Sequence, residues 1–204
     1  MRLFVLGGTG KIGSAVIELG LERGHAVTTF VRSPERVLRR GGLEIIAGDL
    51  QKVGELRAAL PGHDAVFSAV GPRPPQAFFE STLVTDCAAS TVAAMSETGV
   101  QRLLIVSAAF LFPEKGLRYR FVRWLLRAHG RDLTTMEALV GASDLDWTIA
   151  RPSQLKSEQG LQYRARTGAQ PENGFSVGVR SVASFMLDAA EQKSHLREIV
   201  GVAR

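Results

Sequence analysis

The sequence predicts an α/β fold, a doubly wound parallel sheet with helices on both faces. Three observations carry that expectation. Short β-rich runs alternate with longer segments of helical period, the pattern of a parallel sheet whose strands are joined by right-handed crossover helices. Gly24, Gly62 and Gly99 each follow a helical segment and precede a strand, where a left-handed C-cap is wanted. The 204 residues, 45% hydrophobic and 22% charged, supply one sizeable core without need of a second. No linker or fixed-period repeat divides the chain, so a single domain over 1–204 is expected.

In chain order, the apolar run Leu3 to Leu6 opens the sheet and is followed by a helix near Lys11 to Arg23. The run AVTTFV, Ala26 to Val31, forms the second strand and Leu43 to Ala47 the third. A helix near Val53 to Leu60 leads to a fourth strand, Ala65 to Ala69. A long helix near Phe78 to Thr98 leads to Arg102 to Val106, and a helix near Leu133 to Ala142 leads to Trp147 to Ala150. A last helix, near Val182 to Glu191, precedes a possible strand Glu198 to Val202.

Composition narrows the function classes. The single cysteine, Cys87, excludes an internal disulfide and fits a reducing compartment. No stretch approaches the roughly 18 unbroken apolar residues of a membrane span, and glycines interrupt the run after Leu6, so a soluble cytoplasmic protein is expected. The net charge of +5 suits anionic partners. The arginines are scattered, however, and no helix-turn-helix, zinc or base-stacking signature accompanies them, so neither nucleic acid nor membrane is expected as a partner. His25, His63 and His195 stand at loop or strand entries without paired Cys, His or carboxylate spacing, which argues against a metal site.

The motif with chemical content is Gly7-x-x-Gly10-x-x-Gly13, between the first strand and the first helix. At that place the first glycine permits a tight turn, the second lets the backbone approach a pyrophosphate, and the third lets the helix pack closely on the sheet. Backbone N–H groups over Thr9 to Ile12 would then meet the phosphates, with the positive end of the helix dipole behind them.

The motif "GGTGKIG" resembles the TGxxGxxG turn of the extended and atypical short-chain dehydrogenase/reductase superfamily. "GDL" at Gly48 to Leu50, "DAVFSAVG" at Asp64 to Gly71, "LLIVSA" at Leu103 to Ala108 and "DLDWTIARPSQL" at Asp144 to Leu155 extend the similarity over nearly the whole chain. The sequence is most similar to the small NAD(P)H-binding branch that includes biliverdin/flavin reductases and NmrA-like regulators. The resemblance implies a Rossmann fold with strand order 3-2-1-4-5-6 and a cofactor at the carboxyl ends of the strands. It places Asp49 and Leu50 beside the adenine, and Ala69, Val70 and Gly71 along the adenosine ribose. Asp49 equally suits a cap of the following helix, and Ala69 with Val70 plain strand core.

The residue closing the second strand bears on the cofactor. A carboxylate there would bind the ribose hydroxyls of NAD, whereas a cation accommodates the 2′-phosphate of NADP. The sequence has Arg32 with no carboxylate before it, followed by Ser33, and Arg36 and Lys11 add positive charge. NADPH is therefore the expected cofactor, the alternative being an ordinary surface arginine.

Catalytic members of the superfamily use a Tyr-x-x-x-Lys pair for proton transfer. Alignment on the family's helix puts His129 in the tyrosine position and Leu133 in the lysine position, so the usual relay is missing. Tyr119-x-x-x-Arg123 lies too early and reads as structural. By resemblance Ser107 lies near the nicotinamide, and Pro152 with Ser153 forms the nicotinamide-side loop. Ser107 also suits a strand-ending cap. His129 is a candidate acid, against the alternative of a surface histidine in a basic loop.

The expected activity is hydride transfer from NADPH to a small aromatic or conjugated acceptor: a flavin, a quinone or a tetrapyrrole-like ring. The alternative is a non-catalytic NADP(H) sensor acting through a protein partner. A small-molecule acceptor is the expected partner, with the chain a monomer or homodimer. The substrate side is expected near 108–131 and 152–178. Within it, Leu117, Phe121, Trp124 and Leu125 with Arg118, Arg120, Arg123 and Arg127 suggest a basic amphipathic helix whose apolar face packs on its own core, the alternative being a lid over the substrate, a dimer contact or a site for an anionic surface. Phe110, Leu111 and Phe112 are either pocket or core.

Overall fold

The structure is a computed structural model and describes residues 1–72, 79–113, 121, 123–158 and 160–204. Its first half runs β1 Arg2–Leu6, α1 Lys11–Glu22, β2 Ala26–Val31, β3 Leu43–Ala47, α2 Val53–Ala59, β4 Ala65–Ser68 and α3 Leu83–Thr98. The second half follows with β5 Arg102–Val106, α4 Arg127–Gly141, β6 Asp146–Pro152, β7 Gln154–Lys156, β8 Arg164–Thr167, β9 Ser176–Gly178, α5 Val179–Glu191 and β10 Glu198–Ala203. Short 3₁₀ turns lie at Pro34–Arg36 and Ala109–Leu111.

The main sheet has the order β3-β2-β1-β4-β5-β6-β10-β8. All its pairings are parallel except that of β8, which closes the edge antiparallel to β10. The expected order 3-2-1-4-5-6 is present, and Glu198–Ala203 extends it as a further parallel strand beside β6.

Alternation along each strand builds two cores. On β1, Leu3 and Val5 face α1 and α5, while Phe4 and Leu6 face α2, α3 and α4, and all four are completely buried. A sheet covered on both faces needs apolar side chains at both phases of the pleat, which is why Leu3 to Leu6 of β1 read as an unbroken apolar run. Gly24, Gly62 and Gly99 take φ values of 80°, 82° and 75°, the left-handed geometry expected of them.

Two helix starts differ from expectation, and short strands appear that it did not include. The helix expected from Phe78 begins at Leu83, and Phe78 lies outside the described residues. Its start is set by Asp132 on α4, whose carboxylate accepts the N–H groups of Val84 at 3.0 Å and Thr85 at 2.9 Å. A cap supplied from nearly fifty residues away leaves no local signal. The helix expected from near Leu133 begins at Arg127 because its first turns, weak in apolar period, bury Ala128, Gly130 and Asp132. Strands β7 and β8 are wholly exposed, so they carry no alternating pattern. Among the described residues no helix is long and apolar enough to cross a membrane.

Candidate nucleotide-binding site

Because β1 to β6 run parallel, their carboxyl ends share one edge. That edge collects the glycine turn after β1, Arg32 and Ser33 after β2, Asp49 and Leu50 after β3, Ala69 to Gly71 after β4, Ser107 after β5 and the end of β6 at Pro152. The chain order reverses at β1, with β2 and β3 on one side and β4, β5 and β6 on the other. Such a switch point leaves a crevice outside the strand ends. At about 4.8 Å between strands, β5 lies roughly 10 Å from β1, within reach of a dinucleotide whose phosphates sit over β1.

The turn itself is dictated by contact. Gly7 has φ 80°, and a Cβ there would stand 2.6 Å from the Ala69 carbonyl oxygen. A Cβ on Gly13 would stand 2.2 Å from the Gly7 carbonyl oxygen, so the third glycine lets the helix pack on the turn itself. Gly10 is the N-cap of α1 and contributes no side-chain cap. The first intrahelical bond runs from Ser14 N–H to the Gly10 carbonyl, 2.9 Å. The N–H groups of Lys11, Ile12 and Gly13 therefore have no intrahelical acceptor. Thr9, Gly10 and Lys11 are exposed, while the Ile12 side chain is in the core, so Ile12 offers a ligand its backbone alone.

On the β2 side, Arg32 and Arg36 are exposed, and among the described residues neither they nor Lys11 form an ion pair, whereas nearby Arg40 is paired with Glu18 at 3.1 Å. The charge of Arg32 is felt at Cys87 on α3. Burial pushes that thiol up to about 11 even though Arg32 opposes the shift. Asp49 does not cap the following helix, whose N-cap is Lys52 without a side-chain cap bond; its Oδ1 instead accepts Gln51 N–H at 3.1 Å in the turn before that helix. Leu50 and Val70 pack against the α2–α3–α4 core, Ala69 against the opposite one, and Gly71 is exposed.

On the β5 side, Ser107 N–H donates to the Ala150 carbonyl at 2.7 Å, tying the strand end to β6. Its hydroxyl is buried and, among the described residues, has no hydrogen-bond partner. His129 lies in the first turn of α4, its ring centroid 6.4 Å from that of Phe110, three residues beyond Ser107. Burial lowers the His129 pKa from its ordinary value, outweighing nearby Asp132. Ser153 is 7% exposed and its groups are spent inside the protein. The hydroxyl donates to the Gly174 carbonyl at 2.7 Å and accepts from Gln170 Nε2 at 2.9 Å, while the N–H donates to the Val202 carbonyl at 2.9 Å.

No proton relay takes the place of the missing pair among the described residues. Leu133 is buried in the α3–α4 core. The Tyr163 hydroxyl donates to Asp188 Oδ2 at 2.6 Å, and burial together with that carboxylate raises its pKa, so it is a poor acid. Tyr119 lies outside the described residues, and Arg123 Nε donates to the Phe110 carbonyl at 3.1 Å. Leu117, Arg118 and Arg120 also lie outside them. The described remainder of that segment corrects the expectation of a packed apolar face: Phe121, Trp124 and Leu125 are exposed, the two aromatic rings 6.0 Å apart. Phe112 is core, and Phe110 and Leu111 are partly buried. Gln170 and the Glu137–Arg151 pair went unread, because a glutamine in an irregular stretch and two ordinary charges carry no spacing signal.

The comparisons with known proteins agree with this geometry. The model of the family described as NAD(P)H-binding matches residues 7–193. A protein of Bacillus subtilis named "Uncharacterized sugar epimerase YhfK" is 27% identical over 199 residues, covering 95% of this chain and 90% of its own. The NAD(P)H azoreductase of Xenophilus azovorans is 30% identical over 152 residues, 74% of this chain, and this chain spans 47% of its length. Among solved structures, a short-chain dehydrogenase/reductase of Veillonella parvula in complex with NADP superposes with a TM-score of 0.83 at 21% identity, covering 100% of this chain and 94% of that one. With its glycine turn at the switch point of a Rossmann sheet and a family match over nearly its whole length, this chain belongs to the NAD(P)H-binding family.

Proposed function

We propose that this protein binds NADPH along the carboxyl edge of its sheet and passes hydride to a small conjugated acceptor, a flavin, a quinone or a tetrapyrrole-like ring. NADPH supplies the hydride when bound. The N–H groups of Lys11, Ile12 and Gly13 hold the diphosphate, and Thr9 and Gly10 shape the approach. Arg32, Ser33 and Arg36 take the 2′-phosphate. Asp49 and Leu50 flank the adenine, and Ala69, Val70 and Gly71 line the ribose. Residues 1–204 act as one unit, monomeric or homodimeric, with the acceptor side built from 108–131 and 152–178.

One observation carries the reductase reading: Ser107 Oγ, buried at the end of β5 without a partner. A native protein rarely leaves a buried hydroxyl unmatched, and such a group at the cofactor edge calls for a ligand that satisfies it. The nicotinamide carboxamide or the acceptor fits. His129, whose charged form burial disfavours, borders the acceptor side, and solvent supplies the proton. Holding the two reactants in register and dry is the protein's main contribution.

Leu133 and the engaged Tyr163 favour a second reading, an NADP(H) sensor without turnover. The test is loss of NADPH absorbance on adding FMN, a quinone or, given the azoreductase relative, an azo dye. Arg32→Glu serves as the control. Turnover abolished by Arg32→Glu is expected. Saturable NADPH binding with no turnover on any acceptor overturns the reductase and leaves the sensor.

A further inference from the structure

The segment between β8 and β9 crosses the last parallel strand where that strand has no side chain. A Cβ on Gly201 would stand 2.2 Å from the Ala169 carbonyl oxygen and 2.9 Å from Gln170 Cα. The crossing seats the Gln170 side chain against the turn that joins β6 to β7. There Nε2 donates to Ser153 Oγ at 2.9 Å and also to the Gly174 carbonyl, the same oxygen that accepts from Ser153 Oγ. Ser153 N–H is tied to β10 through Val202, and Gln154 N–H to the Phe175 carbonyl at 3.3 Å. The turn is thus held from three sides, and among the described residues Gln170 is the side chain that hydrogen-bonds it from elsewhere in the chain.

This pin is polar at a cost. Among the described residues Gln170 Oε1 is buried with no partner, and Gln170 itself is 9% exposed. A leucine would fill the same space without an orphaned acceptor. The retained amide therefore points to its donor side, the hold on Ser153.

From this geometry we infer that Gln170 is a positioning residue: it fixes the Pro152–Ser153 turn as the wall for the nicotinamide half of the cofactor and takes no part in holding the adenosine half. The inference rests on the nucleotide-binding function proposed above. The two halves are separable in space, because β6 stands four strands from β2, roughly 19 Å away at the usual spacing.

The test is calorimetric titration of the wild-type protein, Gln170→Leu and Ser153→Ala with two ligands, NADP⁺ and 2′,5′-ADP, which keeps the adenosine and 2′-phosphate but lacks nicotinamide. Loss of the hydrogen bond is expected to weaken NADP⁺ about tenfold in Gln170→Leu while 2′,5′-ADP stays within about twofold. Ser153→Ala, which removes the acceptor, reproduces the selective loss and carries the test should Gln170→Leu not fold. A merely structural role weakens both ligands together. Equal losses for the two ligands, or no loss for either, overturn the inference while leaving nucleotide binding intact. Wild-type protein that binds neither ligand removes the proposed function and this inference with it.

Discussion

Glu137 on α4 and Arg151 near the end of β6 form a two-point ion pair, Nε to Oε1 at 2.9 Å and Nη2 to Oε2 at 2.5 Å. Their side chains are 7% and 12% exposed, and the Arg151 guanidinium carbon lies 4.5 Å from the centre of the Phe112 ring. The pair locks the helix bearing His129 to the strand that leads into the Pro152–Ser153 turn, and its stacked ring anchors the loop after Ser107. Three segments of the proposed acceptor side therefore share one buried contact.

Glu137→Ala strands a buried guanidinium and is expected to cost about 3–5 kcal/mol in urea unfolding. The double variant Glu137→Leu/Arg151→Met removes both charges and is expected to lose less than the single one. A double variant as unstable as the single contradicts the assignment.

Gly13→Ala places a methyl group against the Gly7 carbonyl. The expected result is a loss of about 1–3 kcal/mol in stability together with weakened NADPH binding. Gly54→Ala on α2 is the contrasting control. A Cβ there meets nothing within 4 Å, and a gain of about 0.5–1 kcal/mol is expected from lower unfolded-state entropy and better helix propensity.

Arg32→Ala is expected to weaken NADPH binding roughly tenfold to a hundredfold, the loss of one charge-assisted hydrogen bond of about 1.5–3 kcal/mol, with little effect on NADH. Fluorescence titration with both nucleotides measures it. Parallel losses would show that Arg32 does not meet the 2′-phosphate.

Ser107→Ala separates stability from function. Removing an unmatched buried hydroxyl is expected to leave stability unchanged or raise it by up to about 1 kcal/mol, while turnover falls about tenfold. A stability loss larger than about 1 kcal/mol would mean that the hydroxyl has a structural partner.

His129 supplies a pH signature. Its folded pKa lies below its ordinary value of 6.5 because burial disfavours the charged ring. Above that value both folded and unfolded rings are neutral, and stability is complete. As pH falls through it, the unfolded chain takes up a proton that the folded one refuses, so stability declines until the folded pKa is passed. His129→Gln is expected to lose less of its Tm between pH of about 7 and 5 than the wild-type protein does. Identical pH profiles would place His129 in solvent.

The glycine triplet, the alternating runs and the C-cap glycines were legible because each is enforced by its immediate neighbours. Gly7 takes a positive φ in its own tight turn, and a strand buried on both faces is mostly apolar. The candidate cofactor edge followed, since parallel strands carry whatever succeeds them to one side. The order of α3 and α4 boundaries was not legible, because Asp132 caps a helix from another helix.

Local backbone geometry and strand order, both written in the order of residues, set the Rossmann scaffold, the glycine turn after β1 and the cation at the end of β2. Packing in three dimensions alone settles that Ser107 keeps an unmatched hydroxyl among the described residues, that Ser153 spends its own on Gly174 and Gln170, and that Glu137 neutralises Arg151. Those outcomes depend on which distant polar groups meet out of water. Hydrogen bonds and buried charges are settled by such meetings, whereas strands and turns are settled by neighbours along the chain.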